Sequence, residues 1–138
     1  MTVSIVVVSH SEKIADGAAE LAAQMAPDVL VLTAGGTTDG RIGTSLEKVL
    51  AALDKADRGG TVILADLGSA VMTAESALEF AENPETMVLA DAPLVEGLVA
   101  AYIPQGSQYR DGAAFLILIT ILLVSPSGLF GKSTVEKV

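Results

Sequence analysis

The feature that most constrains the fold is a fourfold alternation between short apolar runs and longer amphipathic stretches. Runs of β-branched and apolar residues indicate strands at residues 3–8, 29–33, 61–65 and 86–90. Helical periodicity and capping residues indicate helices at about 11–25, 45–56 and 70–81, and a fourth helix opens within 91–97. Short connections between alternating strands and helices are typical of an α/β fold. We therefore predict an open, mainly parallel four-stranded sheet with helices on both faces.

The first strand leads directly to the only histidine of the chain, His10. Ser9 and Glu12 have the spacing of a capping box, which predicts a helix that begins here with His10 in its first turn. The unpaired N–H groups of such a helix start favour an anion such as phosphate. A neutral imidazole at this place can be a nucleophile, an acid–base group or a metal ligand. The alternative is a polar loop histidine without a role.

The first helix is predicted to pack one apolar face against the sheet. Residues at spacings of 3, 4, 7 and 8 share that face, namely Ile14, Ala18, Leu21, Ala22 and Met25. The many alanines of this helix indicate a close approach to the sheet.

The loop after the second strand is rich in glycine, with four glycines between residues 35 and 43. Such a loop can approach a ligand closely and donate several backbone N–H groups to it. No lysine follows the glycines, so the loop lacks the Walker spacing, and it does not fit the dinucleotide fingerprint. The alternative is an ordinary flexible connection.

The third predicted strand ends at Asp66. Polar groups at the carboxyl ends of parallel strands meet at one edge of the sheet, where α/β proteins bind ligands. If the first and third strands are neighbours, Asp66 lies within reach of His10 and can fix its tautomer. The alternative is that Asp66 only caps the next helix.

The composition excludes several kinds of partner and site. The chain has 17 acidic and 8 basic residues and a net charge of -9, which argues against binding to nucleic acid or to an anionic membrane and favours a basic protein partner. With no cysteine and one histidine, we expect no metal and no cofactor. The amino-terminal residues lack the basic region of a signal peptide, so we expect a cytoplasmic protein.

The chain divides into two parts by composition, 1–102 and 103–138. The first part holds 15 acidic and 5 basic residues, and the second holds 2 and 3. The second part contains a run of twelve nearly all apolar residues at 113–124, which is short for a membrane span. Three interpretations stay open: an extra hydrophobic element packed on the domain or across a dimer, a membrane-associated tail, and an altered reading frame.

Four motifs together resemble one known family. In chain order they are IVVVSHS (5–11), AGGT with DGRIGTS (34–37 and 39–45), DLGSA (66–70) and DAPLVEG (91–97). They are similar to those of the phosphotransfer subunits of phosphoenolpyruvate-dependent dihydroxyacetone kinases, a branch of the mannose-type enzyme IIA family of the phosphotransferase system. The resemblance covers about residues 3–101 and stops before the apolar run.

The resemblance implies a homodimer of α/β domains that acts as a phosphotransferase. A histidine takes a phosphoryl group from phospho-HPr and passes it to ADP in a partner subunit of dihydroxyacetone kinase. By position, His10 is similar to the phosphoacceptor and Asp66 to its orienting carboxylate. Gly36, Thr37 and Ser69 are similar to the groups that bind the phosphoryl oxygens.

Two other functions remain as alternatives. A mannose-type enzyme IIA domain of a sugar transporter would use the same histidine but pass the phosphoryl group to an enzyme IIB. A receiver-like regulatory module would use Asp66 as the phosphoacceptor. Receiver sites need further carboxylates at the end of the first strand to bind a divalent ion, and this chain has Ser9, His10 and Ser11 there.

Overall fold

The computed structural model describes residues 3–95 and 97–98. Within them the elements follow the order β1 (Ser4–Ser9), α1 (Glu12–Met25), β2 (Val31–Gly35), α2 (Leu46–Lys55), β3 (Thr61–Ala65), α3 (Gly68–Phe80) and β4 (Met87–Leu89). A 3-10 turn at Pro84–Thr86 precedes β4, and helical backbone recurs at Leu94, Val95, Gly97 and Leu98. The predicted alternation of strands and helices is confirmed.

The sheet is parallel throughout the described residues, with the strand order β2-β1-β3-β4. The predicted open, four-stranded α/β sheet is therefore confirmed, and β1 and β3 are neighbours. Since β1 leads to β2 on one side and β3 lies on the other, the strand order reverses beside β1. The loops that follow β1 and β3 leave the sheet at the same edge, where such folds place their ligands.

Apolar layers cover both faces of the sheet. On one face, α1 together with Leu94 and Leu98 packs against a buried group that comprises Ile5, Val7 and Leu64. On the other face, α2 and α3 pack against a buried group that includes Val6, Val8, Ile63 and Ala65. Full burial of a valine side chain stabilises a fold by about 1.5–3 kcal/mol. The central strand β1 therefore holds the residues that follow it in a fixed place.

The predicted N-cap of α1 is wrong by two residues. Ser9 belongs to β1, and the N-cap of α1 is Ser11, whose Oγ accepts a hydrogen bond from the N–H of Ile14 at 3.4 Å. Ser9 still belongs to the strand, where its hydroxyl donates to Asp66 and its oxygen accepts from the N–H of Ser11, which precedes the helix. His10 therefore lies between β1 and α1, before the helix instead of in its first turn.

The predicted buried face of α1 is partly wrong. Ala18 and Ala22 are buried as expected, and the third buried position is Ala15. The larger apolar residues Ile14, Leu21 and Met25 are about half exposed, at 51%, 50% and 45%. The reason is a close contact with β2: a Cβ on Gly35 would lie 2.8 Å from the Cβ of Ala15, so only small side chains fit there.

Strand β2 begins two residues later than predicted. The N–H of Val29 donates to the carbonyl of Ala26 at 3.2 Å, in the turn after α1. The chain therefore enters the sheet only at Val31, which pairs with Ile5 of β1.

The predicted second part of the chain, residues 103–138, lies outside the described residues, as does its apolar run at 113–124. Among the helices of the described part, none has the length and apolar character needed to cross a membrane.

Candidate functional site

The residues after β1 and β3 meet at the carboxyl edge of the sheet. The register pairs Val8 with Ala65, and the N–H of Asp66 donates to the carbonyl of Val8 at 3.2 Å. The next residue on β1 is Ser9, and His10 follows it directly. Residues about 56 positions apart in the sequence are thus held side by side by the strand pairing.

His10 and Asp66 form a pair through one ring nitrogen. Nδ1 of His10 lies 2.9 Å from Oδ1 of Asp66, and the backbone N–H of His10 donates to Oδ2 at 3.0 Å. Because a carboxylate only accepts hydrogen bonds, this contact assigns the proton to Nδ1. Nε2 then carries the lone pair. The two side chains are 18% and 19% exposed, so the pair is largely shielded but open at the surface.

The carboxylate of Asp66 accepts four hydrogen bonds. Besides the two from His10, the hydroxyl of Ser9 donates to Oδ2 at 2.7 Å and the N–H of Leu67 donates to Oδ1 at 2.7 Å. Burial by itself would raise the pKa of Asp66. The hydrogen bonds from His10, Ser9 and Leu67 outweigh that effect and lower the pKa below its ordinary value. Asp66 is therefore an anion at neutral pH.

The contacts of Asp66 favour one of the two predicted interpretations of this residue. The N-cap of α3 is Leu67, and no side chain caps that helix. Asp66 instead directs its carboxylate to His10, so the geometry is that of an orienting group.

The second ring nitrogen of His10 faces the start of α3. Nε2 forms a hydrogen bond with the hydroxyl of Ser69, and the tautomer makes the hydroxyl the donor. The helices α1 and α2 have their first N–H groups capped by Ser11 and Ser45. Leu67 offers no such acceptor at the start of α3, so the first N–H groups of this helix have no side-chain cap, in the same turn that brings Ser69 to the ring.

The glycine-rich loop lies over the end of β1. The N–H of Gly36 donates to the carbonyl of Ser9 at 3.0 Å, and the N–H of Gly43 donates to the carbonyl of His10 at 2.9 Å. Gly36 has φ of +67°, a conformation that glycine adopts without strain. At Gly35 a Cβ would lie 2.6 Å from the backbone of Glu12, so the loop touches the start of α1 directly.

Thr37 has its described contacts within the loop. Its hydroxyl contacts the carboxylate of Asp39 and accepts from the N–H of Arg41 at 3.0 Å, and its own N–H donates to the carbonyl of Arg41 at 2.9 Å. Arg41 in turn pairs with Asp39 at 2.6 Å. These contacts hold the loop in shape.

The five site residues predicted from the sequence therefore do not all have the same relation to the ring of His10. The structure brings the side chains of His10, Asp66 and Ser69 together. Gly36 touches the same cluster through its backbone, and Thr37 shapes the adjoining loop. That Gly36, Thr37 and Ser69 bind phosphoryl oxygens stays a prediction.

Ser9 is the member of the cluster that sequence reasoning missed. The capping-box spacing assigned its hydroxyl to a helix start, whereas it contacts Asp66. The available signal was a serine beside the histidine at the end of an otherwise apolar strand.

The described part of the chain, residues 3–95 and 97–98, contains no group of three or more His, Cys, Asp or Glu side chains that could hold a metal ion.

Three large apolar side chains near the site in sequence are exposed: Ile42 at 76%, Leu67 at 61% and Met72 at 68%. The segments that form the site therefore expose apolar side chains on an acidic protein.

In a comparison with known protein families, the model EIIA-man, described as the PTS system fructose IIA component, matches residues 4–113. The phosphoryl donor subunit DhaM of PEP-dependent dihydroxyacetone kinase 1 from Listeria innocua serovar 6a is 40% identical over 96 residues, 70% of this chain and 76% of that protein. The phosphotransferase subunit DhaM of the PTS-dependent dihydroxyacetone kinase from Lactococcus lactis subsp. lactis is 35% identical over 101 residues, 73% of this chain and 80% of that protein.

A solved structure agrees with these matches. The crystal structure of EF1359, a protein of unknown function, is 38% identical to this chain and superposes with a TM-score of 0.69. The likeness covers 78% of this chain and 85% of the other. Since the family model spans the sheet, the loops and the His10 edge alike, the chain belongs to the mannose-type enzyme IIA family of the phosphotransferase system, in the branch of the DhaM phosphoryl donor subunits.

Proposed function

We propose that this chain is a phosphohistidine carrier. His10 takes a phosphoryl group from phospho-HPr and passes it to ADP bound in the partner subunit of a dihydroxyacetone kinase, which supports phosphorylation of dihydroxyacetone in the cytoplasm. One observation carries this proposal: Asp66 holds Nδ1 of His10 at 2.9 Å and leaves the lone pair of Nε2 at the start of α3. The names of the DhaM relatives support the same role.

In the first transfer, the lone pair of Nε2 attacks the phosphorus of the donor. The Nε2–P bond forms while the P–N bond of the donor phosphohistidine breaks, and the donor imidazole leaves with the bonding electron pair. The ring of His10 keeps its proton on Nδ1 and gains a positive charge. The anionic carboxylate of Asp66, which already accepts that proton, stabilises this charge in the transition state.

The phosphoryl oxygens need partial positive charge around Nε2. The hydroxyl of Ser69 turns from the ring nitrogen to a phosphoryl oxygen, and the first N–H groups of α3 have no side-chain cap to compete for them. Backbone and hydroxyl donors of Gly36 and Thr37 are the further candidates. Phosphoryl transfer depends on such positioning and charge stabilisation more than on covalent chemistry by the protein.

A carrier must also release its phosphoryl group. With the proton held on Nδ1, the phosphorylated ring is cationic and leaves readily when a terminal oxygen of ADP attacks the phosphorus. The Nε2–P bond then breaks, and the neutral ring returns with its proton still on Nδ1. The nearby cations are engaged elsewhere: Arg41 pairs with Asp39, and Nζ of Lys48 donates to the carbonyl of Gly35 at 2.8 Å. Because both side chains have other partners, neither Arg41 nor Lys48 is assigned to the phosphate.

The surface near the site suits protein partners. A donor that brings its phosphoryl group within bonding distance of Nε2 must cover the residues around the ring. Ile42, Leu67 and Met72 give that surface exposed apolar area, which protein interfaces use at their centres. HPr and the ADP-binding kinase subunit would meet this surface in turn. We also expect the chain to act as a homodimer, as the family resemblance implies.

The test is a reconstituted transfer assay with phosphoenolpyruvate, enzyme I and HPr. We expect acid-labile phosphate on the wild-type chain and none on His10→Ala. Because the ring lies between β1 and α1 and contacts the fold mainly through Asp66 and Ser69, the variant is expected to fold. Persistent acid-labile phosphate on His10→Ala would refute the proposal.

The same labelled protein separates the alternatives. Transfer to ADP in the kinase subunit supports the dihydroxyacetone kinase role, and transfer to an enzyme IIB alone would assign the chain to a sugar transporter. Acid-stable, base-labile phosphate would indicate a receiver-like module with Asp66 as acceptor. Against that module, all four hydrogen-bonding positions of the Asp66 carboxylate are already filled.

A further inference from the structure

We propose that Ser9 is a positioning residue for phosphoryl transfer, whose hydroxyl fixes the Asp66 carboxylate in the orientation that keeps the proton of His10 on Nδ1. The inference rests on the proposed function of His10. Ser9 would act through Asp66 and would not touch the phosphoryl group.

The first observation is the burial of Ser9. Its side chain has no exposed surface, at the end of the strand that also contains Val6, Val7 and Val8. A buried hydroxyl destabilises a fold unless it is hydrogen-bonded, and an apolar residue would continue this strand more simply. The hydroxyl therefore provides hydrogen bonds at this position that a valine could not make.

The second observation is the direction of the hydrogen bonds. The oxygen of Ser9 accepts from the N–H of Ser11 at 3.1 Å, which leaves the single hydroxyl hydrogen for Oδ2 of Asp66 at 2.7 Å. A hydroxyl has one donor hydrogen and two lone pairs, so this arrangement sets Ser9 as the donor and Asp66 as the acceptor.

The third observation is that the two carboxylate oxygens of Asp66 accept hydrogen bonds from different donors. Oδ2 accepts from Ser9 and from the N–H of His10, and Oδ1 accepts from Leu67 and from Nδ1 of His10. Loss of the Ser9 donor leaves Oδ2 with one partner and lets the carboxylate pivot. The hydrogen bond that selects the Nδ1–H tautomer is then less well aligned, so the share of rings with a free Nε2 lone pair falls.

The carbonyl of Ser9 strengthens this assignment. It accepts the N–H of Gly36 from the glycine-rich loop at 3.0 Å. One residue thus connects the carboxylate, the start of α1 and the loop that lies over the site. Its backbone contact survives a side-chain substitution, so the effect of the hydroxyl can be measured separately.

Strand β1 supplies a matched control. Ser4, at the other end of the same strand, is equally buried, and its hydroxyl oxygen accepts from the N–H of Asp57 at 2.7 Å. Replacement of Ser4 by alanine removes a buried hydroxyl of the same kind without touching His10 or Asp66.

The test measures the tautomer of His10 in the unphosphorylated protein by long-range ¹H–¹⁵N NMR, together with the rate of phosphorylation by phospho-HPr. For Ser9→Ala we expect a smaller Nδ1–H fraction and a rate reduced about 3- to 10-fold, the effect of one hydrogen bond. Ser9→Thr keeps the hydroxyl and is expected to restore both. Ser4→Ala is expected to change neither.

A folded Ser9→Ala protein with the wild-type tautomer and rate would overturn the inference, as would equal effects of Ser9→Ala and Ser4→Ala. If Ser9→Ala does not fold, Ser9→Cys keeps the volume with a weaker donor and is judged by the same two measurements. The tautomer is read before any phosphate is added. If wild-type His10 is not phosphorylated, the proposed function fails, while the tautomer still tests the role of Ser9.

Discussion

The two edges of the sheet use similar polar residues for different purposes. At the amino edge the side chains mainly satisfy nearby backbone: Asp57 accepts from the N–H of Gly59 at 3.0 Å, and Thr86 donates to the carbonyl of Asn83 at 2.9 Å. At the carboxyl edge, Asp66 and Ser69 bind the two nitrogens of a ring that is 56 and 59 positions away in sequence.

The difference between these edges separates structural from functional polar groups. A contact over two or three residues completes a turn. A contact between distant side chains needs the whole fold to form it and leaves one ring nitrogen in a defined chemical state. A residue at the carboxyl edge can therefore be compared with one whose hydrogen bond lies elsewhere.

Among variants that keep the ring of His10, the largest effect is expected for Asp66→Asn. An asparagine must direct an NH₂ group at either oxygen position, and each position faces a fixed backbone N–H, from His10 or from Leu67. If the NH₂ group faces Nδ1, the ring takes the other tautomer and Nε2 loses its lone pair. We expect phosphorylation to slow by about 10²-fold or more.

The control for this variant is Asp57→Asn, which alters a carboxylate of the amino edge. Stopped-flow or quenched transfer from phospho-HPr gives both rates. We expect the Asp57→Asn rate to stay near that of the wild type. Equal rates in Asp66→Asn and wild type would reduce Asp66 to a structural residue.

A smaller effect is expected for Ser69→Ala. The substitution removes one donor to the phosphoryl oxygens but leaves the helix start and the Asp66 pair in place, so we expect a rate lower by about 2- to 10-fold. Ser76→Ala is the matched control, because Ser76 lies on the same helix and donates to the carbonyl of Met72 at 2.9 Å. A rate loss shared equally by both variants would assign Ser69 to helix stability instead.

The smallest effect concerns the acid stability of the fold. The folded pKa of Asp66 is lower than its ordinary value, because the hydrogen bonds from His10, Ser9 and Leu67 outweigh the opposing effect of burial. The native state therefore binds this proton less tightly than the unfolded state. The resulting stabilisation is present above the unfolded value of about 3.9 and is lost as the pH falls through the lower folded pKa.

Urea denaturation at pH 5, 4 and 3 measures this contribution. We expect the difference in unfolding free energy between the wild type and Asp66→Asn to shrink as the pH falls. A difference that stays constant over this range would show that the carboxylate charge does not contribute to stability.

The fold followed closely from the sequence because the apolar runs and the breakers between them are strong signals. Each run of β1 and β3 is bounded by polar or glycine residues, and burial on both faces explains why the runs lack alternation. The meeting of His10 and Asp66 at one edge was predicted on the condition that the first and third strands are neighbours, and the strand order meets that condition. These parts depend on local patterns and on general rules for parallel sheets.

The errors arose where a local pattern competed with a distant contact. The capping-box spacing assigned the hydroxyl of Ser9 to a helix start, but that hydroxyl donates to Asp66, which follows β3. Helical periodicity favoured the larger Ile14 for the buried face, but the close approach of Gly35 admits only Ala15. Neither distant partner can be identified from spacing, because both depend on how the elements pack.

We propose that Asp66 reserves Nδ1 of His10 and leaves Nε2 to carry the phosphoryl group. NMR of the ¹⁵N-labelled, phosphorylated protein distinguishes the two linkages through the ring nitrogen shifts and their coupling to ³¹P. We expect phosphate on Nε2, with the proton of Nδ1 still directed at Asp66. Phosphate on Nδ1, or on a residue other than His10, would contradict it.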